Sequence, residues 1–150
     1  MTNKASRGIG GGLIVSVSNI IDRPVSDVFH FIADQHVENH PRWDPDIELE
    51  QESDGSIEVG TIIRRRNTRY DTPVEGTMEI TEFERNQAMG SIIREGGFEM
   101  QGRITFEDLG LSQTRITQQA SVPDSIDEAL IRQMMERSSA TIKELLESAE

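Results

Sequence analysis

Between Leu13 and Val122 apolar and polar residues mostly alternate, and beyond Pro123 the apolar positions recur every three or four residues. The first pattern belongs to strands with one buried face, the second to an amphipathic helix. Strands are predicted at Leu13 to Ile21, Ile47 to Glu52, Thr61 to Tyr70, Val74 to Glu84, Ala88 to Arg94, Phe98 to Glu107 and Gln113 to Val122. Turn formers separate the later ones: Asp54-Gly55, Asp71-Thr72-Pro73, Arg85-Asn86, Gly96-Gly97 and Gly110-Leu111. Connections this short join antiparallel neighbours, so a meander is expected. Three inner rows stand out: Val74, Gly76, Met78 and Ile80; Phe98, Met100, Gly102, Ile104 and Phe106; and the more polar Thr114, Ile116, Gln118, Ala120 and Val122. One apolar and one charged face predicts a sheet covered on one side only.

The cover is predicted at the C-terminal end. Pro123, Asp124 and Ser125, with Glu128 three residues after Ser125, read as a capping box. Leu130, Ile131, Met134, Met135, Ser138, Thr141, Ile142 and Leu145 then fall on one helical face. Ser138 and Thr141 occupy the middle of that face, where bulk is normal. Flanked by flexible methionines, they suit a helix that closes over a space. They equally suit hydroxyls bonded to carbonyls of the preceding turn. A shorter helix is predicted from Pro24, with Val25, Val28, Phe29 and Ile32 on its apolar side, ending at Asp34 and Gln35. His36 to Pro45 reads as a stiff turn around Trp43, the only tryptophan, placed as a plug at the core edge or at the mouth of a pocket.

The 150 residues suffice for one domain with an ordinary core. Residues 1–12 are expected to be a flexible lead-in and 13–150 the domain; the glycines at 8 and 10–12 precede no Lys-Ser or Lys-Thr, so a phosphate cradle is not expected. The absence of cysteine excludes disulfides and thiolate metal sites. No apolar run is long enough to span a membrane and no secretory segment is seen, so the cytoplasm is the expected location, without stable membrane insertion. A net charge of −12 repels a phosphate backbone, and nucleic acid is not an expected partner. Homodimerisation stays open.

Two clusters carry candidate chemistry. His36 and His40 stand four apart, which on a helix would place both imidazoles on one face, as in metal sites. A third ligand would have to come from Glu38, Asp44 or Asp46, no spacing rule selects one, and exposed turn histidines are the expected alternative. No metal or cofactor is expected. Arg64, Arg65, Arg66 and Arg69 form the only basic cluster. In a strand Arg65 points opposite to Arg64 and Arg66. Whichever of Arg64 and Arg65 faces inward needs a carboxylate or an anionic ligand group, and glutamates on neighbouring strands such as Glu75, Glu79 or Glu99 are the expected partners.

Taken in order, Pro24 through Asp34 (Pro-x-x-x-Val-Phe-x-x-Ile-x-Asp), Trp43-Asp44-Pro45, Val59-Gly60-Thr61 and Ile80-Thr81-Glu82-Phe83-Glu84 resemble the START-related (SRPBCC) superfamily, in its polyketide cyclase/dehydrase-like branch. The resemblance implies an α+β helix-grip fold: a curved antiparallel sheet of six to seven strands around a long C-terminal helix, with two short helices after the first strand. It also implies a cavity between sheet and helix for a hydrophobic or amphipathic small molecule such as a lipid, sterol or aromatic polyketide, with Trp43 near the entrance. Residues expected to line it are Trp43, Arg65, Met78, Phe98, Met100, Met134, Ser138 and Thr141. The alternative is an enzyme of the cyclase or dehydratase type, a lyase or isomerase, drawing acid–base groups from His30, His36, His40 and Tyr70 with Arg65 steadying an enolate. Protein interaction through the groove beside the helix is a third reading.

Overall fold

The structure, a computed structural model, describes residues 3–7 and 13–148. Strand β1 (Asn3–Arg7) and strand β2 (Leu13–Ile21) are followed by helix α1 (Val25–Phe29), a π-helical turn (His30–Asp34) and helix α2 (His36–Trp43). Strands β3 (Ile47–Gln51), β4 (Ile62–Asn67), β5 (Val74–Glu84), β6 (Ala88–Glu95), β7 (Phe98–Gly110) and β8 (Gln113–Val122) then lead to helix α3 (Glu128–Ser148). All eight strands pair antiparallel in one sheet of order β1-β2-β8-β7-β6-β5-β4-β3. The curved sheet and long final helix are the helix-grip α+β fold expected. Residues 3–7, read from sequence within a flexible lead-in, instead form the edge strand against β2; the rest of that lead-in lies outside the described residues.

Three local differences have simple causes. The stretch from His36 is a helix despite Pro41: the proline removes only the one bond its own nitrogen would have donated, and the Asn39 N–H to Gln35 and Asp44 N–H to His40 carbonyl bonds (2.9 and 3.0 Å) close the turns on either side. The turn at His30–Asp34 inserts one residue into the helical path, closed by the Gln35 N–H donating to the His30 carbonyl at 3.0 Å. Helix α3 is capped by Asp127, whose Oδ1 accepts from the N–H groups of Ala129 (3.0 Å) and Leu130 (3.4 Å), and not by Ser125. The Ile126 N–H bonds back to the Pro123 carbonyl, so that segment is still a turn and the helix starts at the next available carboxylate.

The core fills the concave side. Phe29 packs edge-to-face on Phe83 and Phe106 with centroids 5.3 and 5.0 Å away, and Ile142 and Leu146 of α3 close over Ile21, Val28 and Ile116. The C-terminal part of α3 is pinned to β2 and its following loop: Lys143 Nζ donates to the Ile20 carbonyl (2.6 Å), and the Asp22 N–H to Glu147 Oε2 (2.8 Å). Arg23 donates to the Glu147 carbonyl at 2.7 Å. The convex face carries cross-strand ion pairs such as Arg103–Glu82 (2.8 Å) and Arg94–Glu99 (3.1 Å).

The β7–β8 hairpin turns on Leu111 and Ser112, both left-handed with φ of 53° and 57°. Two such residues make the turn that matches strand twist, but a leucine there is strained, and its side chain is 99% exposed. Replacing the pair with Asn-Gly (Leu111→Asn with Ser112→Gly) removes strain without removing packing, so urea unfolding is expected to show a gain of about 1–2 kcal/mol.

Candidate functional site

Pairing register places side chains of one face in rows across the sheet. Ser91 faces Gly102, and Gly102 faces Ala120, so three successive strands offer almost no side-chain volume along one row. Ile80 and Val15 bound that row on either side. Below it the next row carries Met78, Ile93 and Met100, and above it Met89, Ile104 and Gln118. The space left is a cavity of ≈ 160 Å³ roofed by Met135 of α3, with His36, His40 and Trp43 of α2 forming another wall. Gly102 is the inner floor: a Cβ there would meet nothing closer than the Ser91 hydroxyl at 3.4 Å.

The wall from α2 is a three-ring cluster. The imidazoles of His36 and His40 lie 4.9 Å apart between centroids, and each touches Trp43, at 6.1 and 5.4 Å. The Nδ1 atom of His36 lies 3.0 Å from the Ile32 carbonyl. A carbonyl only accepts, so Nδ1 carries the hydrogen and Nε2 keeps its lone pair. His40 Nδ1 is buried without a hydrogen-bond partner among the described residues. Burial drives the His36 pKa down to about 4, reinforced by the charge of Arg65 and only partly opposed by the Ile32 bond. Burial also holds His40 well below the usual imidazole range, helped by His36 and Arg65. Both rings are therefore neutral at pH 7.

Arg65 faces inward and lies at the cavity wall, but its Nε donates to Glu95 Oε1 at 3.0 Å, with both side chains buried. Asn67 Nδ2 donates to the other Glu95 oxygen at 3.1 Å. This pair spans a whole strand, because Gly76 stands opposite Arg65 on one side and opposite Glu95 on the other. A Cβ at position 76 would run into the Arg94 carbonyl oxygen and lie 3.0 Å from the Glu95 Cα. The other arginines point outward or to the loops: Arg64 to Glu50 and Glu52, Arg66 to Glu48, Arg69 to Asp44 and Asp46. Pairing with carboxylates holds for each, though not with Glu75, Glu79 or Glu99.

Residues 13–148 match the family described as "Polyketide cyclase / dehydrase and lipid transport". The chain belongs to this family. No match was found among curated proteins. Among solved structures, a Chromobacterium violaceum protein is similar at 14% identity with a TM-score of 0.70, covering 89% of this chain and 96% of its own. The di-domain ARO/CYC protein StfQ from the steffimycin biosynthetic pathway is similar at 14% identity and a TM-score of 0.69, over 88% of this chain and 44% of its own. The major latex-like protein 151 of Panax ginseng shares 12% identity with a TM-score of 0.69, over 88% and 95% of the two chains. At these identities the structures show a common fold.

Within this polyketide cyclase/dehydrase family framework, the structure gathers Trp43, Arg65, Met78 and Met100 around the cavity, with Trp43 as a buried wall and not a rim. It does not bring in Phe98, Met134, Ser138 or Thr141. Phe98 sits at the far end of its row beside the Gly96–Gly97 hairpin, in a shallow outer hollow. The buried residues of α3 are Ser139, Ile142 and Leu146: Ile142 belongs to the predicted face, whereas Ser139 and Leu146 take the places read for Ser138 and Leu145. Thr141 Oγ1 donates to the Arg137 carbonyl (3.0 Å), as a hydroxyl satisfied within its own helix. His30 is a surface residue 3.0 Å from Asp34, and Tyr70 is 56% exposed. His36 and His40 do share a helical face, His36 buried and His40 half-buried with its Nδ1 out of solvent, while Asp44 and Asp46 are engaged by Arg69 and Glu38 is exposed. The described residues hold no group of three His, Asp or Glu able to hold a metal, and no helix among them is long and apolar enough to cross a membrane.

Two outcomes follow from this geometry. Gly76→Ala is expected to lower unfolding free energy in urea by about 1–3 kcal/mol, because β5 and β6 must part and the Arg65–Glu95 pair with them. Lowering the pH is also expected to destabilise the fold. Below the unfolded pKa of 6.5 the unfolded chain takes up a proton that folded His36 refuses until about pH 4, so stability falls through that window. From neutral pH to about pH 5 the loss assigned to His36 is roughly 2 kcal/mol. Urea titrations of wild type and His36→Gln would show it as a shallower pH dependence in the variant; equal slopes would count against a buried neutral imidazole.

Proposed function

We propose that this chain binds a small hydrophobic molecule between the sheet and α3 and releases it chemically unchanged. The row of Ser91, Gly102 and Ala120 carries this reading. A core selected only for stability fills such a row with bulk, since each missing methylene costs packing energy. Here the space is retained and ringed by Met78, Met89, Met100 and Met135, whose flexible thioethers fit ligands of varying outline. The description of the family, which joins cyclases and lipid transport, supports the same site without choosing a ligand.

A second reading, a cyclase or dehydratase that folds a reactive chain in the cavity, is favoured by one observation. Two neutral imidazoles, His36 and His40, stand in the cavity wall, and each keeps one nitrogen lone pair. Against it, Arg65 is already neutralised by Glu95 and offers little to a developing enolate.

Trp43, buried at the cavity wall, is the only indole, so its emission reports on this site alone. Native mass spectrometry of the purified protein is expected to show a bound small molecule whose extraction shifts Trp43 emission. Gly102→Leu projects its side chain into the cavity and is expected to abolish the adduct while the protein stays folded. An adduct of undiminished occupancy in Gly102→Leu would remove the cavity from consideration as the binding site.

A further inference from the structure

Oxygen ligands fail the His36–His40 pair, because Asp44 and Asp46 are held by Arg69 and Glu38 is exposed. Sulfur ligands do not. Four of the six methionines, Met78, Met89, Met100 and Met135, line the same cavity as the two imidazoles. They belong to β5, β6, β7 and α3, so they meet α2 only in the folded chain. A thioether has a lone pair and no proton to lose. Its three rotatable bonds let the sulfur turn toward an ion while the backbone stays in place.

The imidazole geometry suits a single ion. The two rings stand one helical turn apart, with centroids 4.9 Å from each other. Imidazoles that share an ion at about 2 Å from one nitrogen of each have centroids about 5 Å apart. His36 Nδ1 donates to the Ile32 carbonyl, which leaves Nε2 as its metal-binding nitrogen. Ligating histidines are commonly oriented in this way, by a hydrogen bond from the other ring nitrogen. His40 Nδ1 is out of solvent with no hydrogen-bond partner among the described residues, and a buried polar atom of that kind calls for one. Trp43 completes the group at 6.1 and 5.4 Å from the two imidazoles, and an indole face is the best aromatic partner for a cation.

The donor set selects the metal. Imidazole nitrogen with thioether sulfur favours soft copper(I), whereas magnesium, calcium and manganese take oxygen. Charge points the same way. Glu95 is engaged by Arg65 and Asn67, so no carboxylate in the wall is left to balance a divalent ion. We infer that the cavity is a site for one soft monovalent cation, copper(I) in kind, bound by His36, His40 and the thioethers that face them. The inference stands apart from the carrier reading, which needs the volume and not the donors.

Silver(I) is the probe, because it shares the charge and softness of copper(I) and is not oxidised in air. The intact chain, with methionine methyls labelled with carbon-13, is titrated with silver nitrate at neutral pH in chloride-free buffer. Native mass spectrometry separates the free chain from any chain carrying an organic molecule, and the free chain is expected to take up one silver ion. The cavity methyls shift to saturation at one equivalent, those of Met1 and Met134 stay in place, and Trp43 emission is quenched. Silver is expected to bind about a hundred-fold more tightly than zinc(II). His40→Phe, and separately Met100→Leu with Met135→Leu, are each expected to weaken silver binding by about ten-fold or more, the leucines keeping side-chain volume. Zinc bound as tightly as silver, methyl shifts confined to Met1 and Met134, or wild-type affinity in both variants would overturn the site. The wild-type shifts decide the matter even where a variant does not fold.

Discussion

In an antiparallel sheet every side chain on the concave face has a fixed neighbour on each adjoining strand, and a slip of one residue would exchange the two faces. Here that register aligns Ser91, Gly102 and Ala120 in one row and Arg65, Gly76 and Glu95 in another. The first row is a gap in an otherwise filled core. The second is a charge pair reaching across an intervening strand that has no side chain to obstruct it. Cavity and charge balance thus come from the same constraint, two rows apart on the same sheet. Both rest on glycine, for different reasons: at 102 a side chain would fill space, and at 76 it would strike backbone.

The Arg65–Glu95 pair sets the character of the cavity as much as its walls do. Removing one partner of a buried pair leaves an uncompensated charge and typically costs about 3–5 kcal/mol. Asn67 donates to the second carboxylate oxygen, so Glu95 is held at both ends. With that arginine neutralised, its residual field still acts on the two imidazoles, adding to burial in keeping them unprotonated. The result is a polar wall without net charge inside an apolar space. Such a wall distinguishes ligands by hydrogen-bonding pattern more than by charge attraction.

Most of the fold is legible in the sequence because strand alternation and short glycine- or asparagine-containing turns are local signals. The strand bounds at Leu13, Ile21, Val74, Glu84, Gln113 and Val122 coincide with those observed. What failed to read is equally physical. Along α3 the residues come in like pairs, Met134/Met135, Ser138/Ser139 and Leu145/Leu146, so two faces about 100° apart fit the hydropathy equally well. Only packing on β2 selects Ser139 and Leu146 over Ser138 and Leu145. Glu95 escaped notice because it closes a strand beside Gly96-Gly97 and looks like part of the turn. Periodicity places Gln118 on an inner row and Met135 on the apolar helical face, but that they meet Met89 around one cavity depends on cross-strand register and helix docking, which it does not contain. Pro41 concealed α2, and with it the burial of His36 and of the His40 Nδ1 atom.

Helix α3 divides its work along its length. Its C-terminal part is tied to β2 and the following loop by Lys143, Glu147 and the contact of Asn19 with the Ser139 carbonyl, and Ile142 and Leu146 are buried there. Its N-terminal part carries the Asp127 cap, an exposed Leu130 and partly buried Met134, and it reaches the cavity through Met135. Local opening free energies follow the density of buried contacts, so the part over the cavity opens at lower cost than the part on β2. A ligand that fills the space beneath Met135 adds contacts where α3 has few. A bound molecule would thereby couple occupancy to helix order through the least anchored part of the grip.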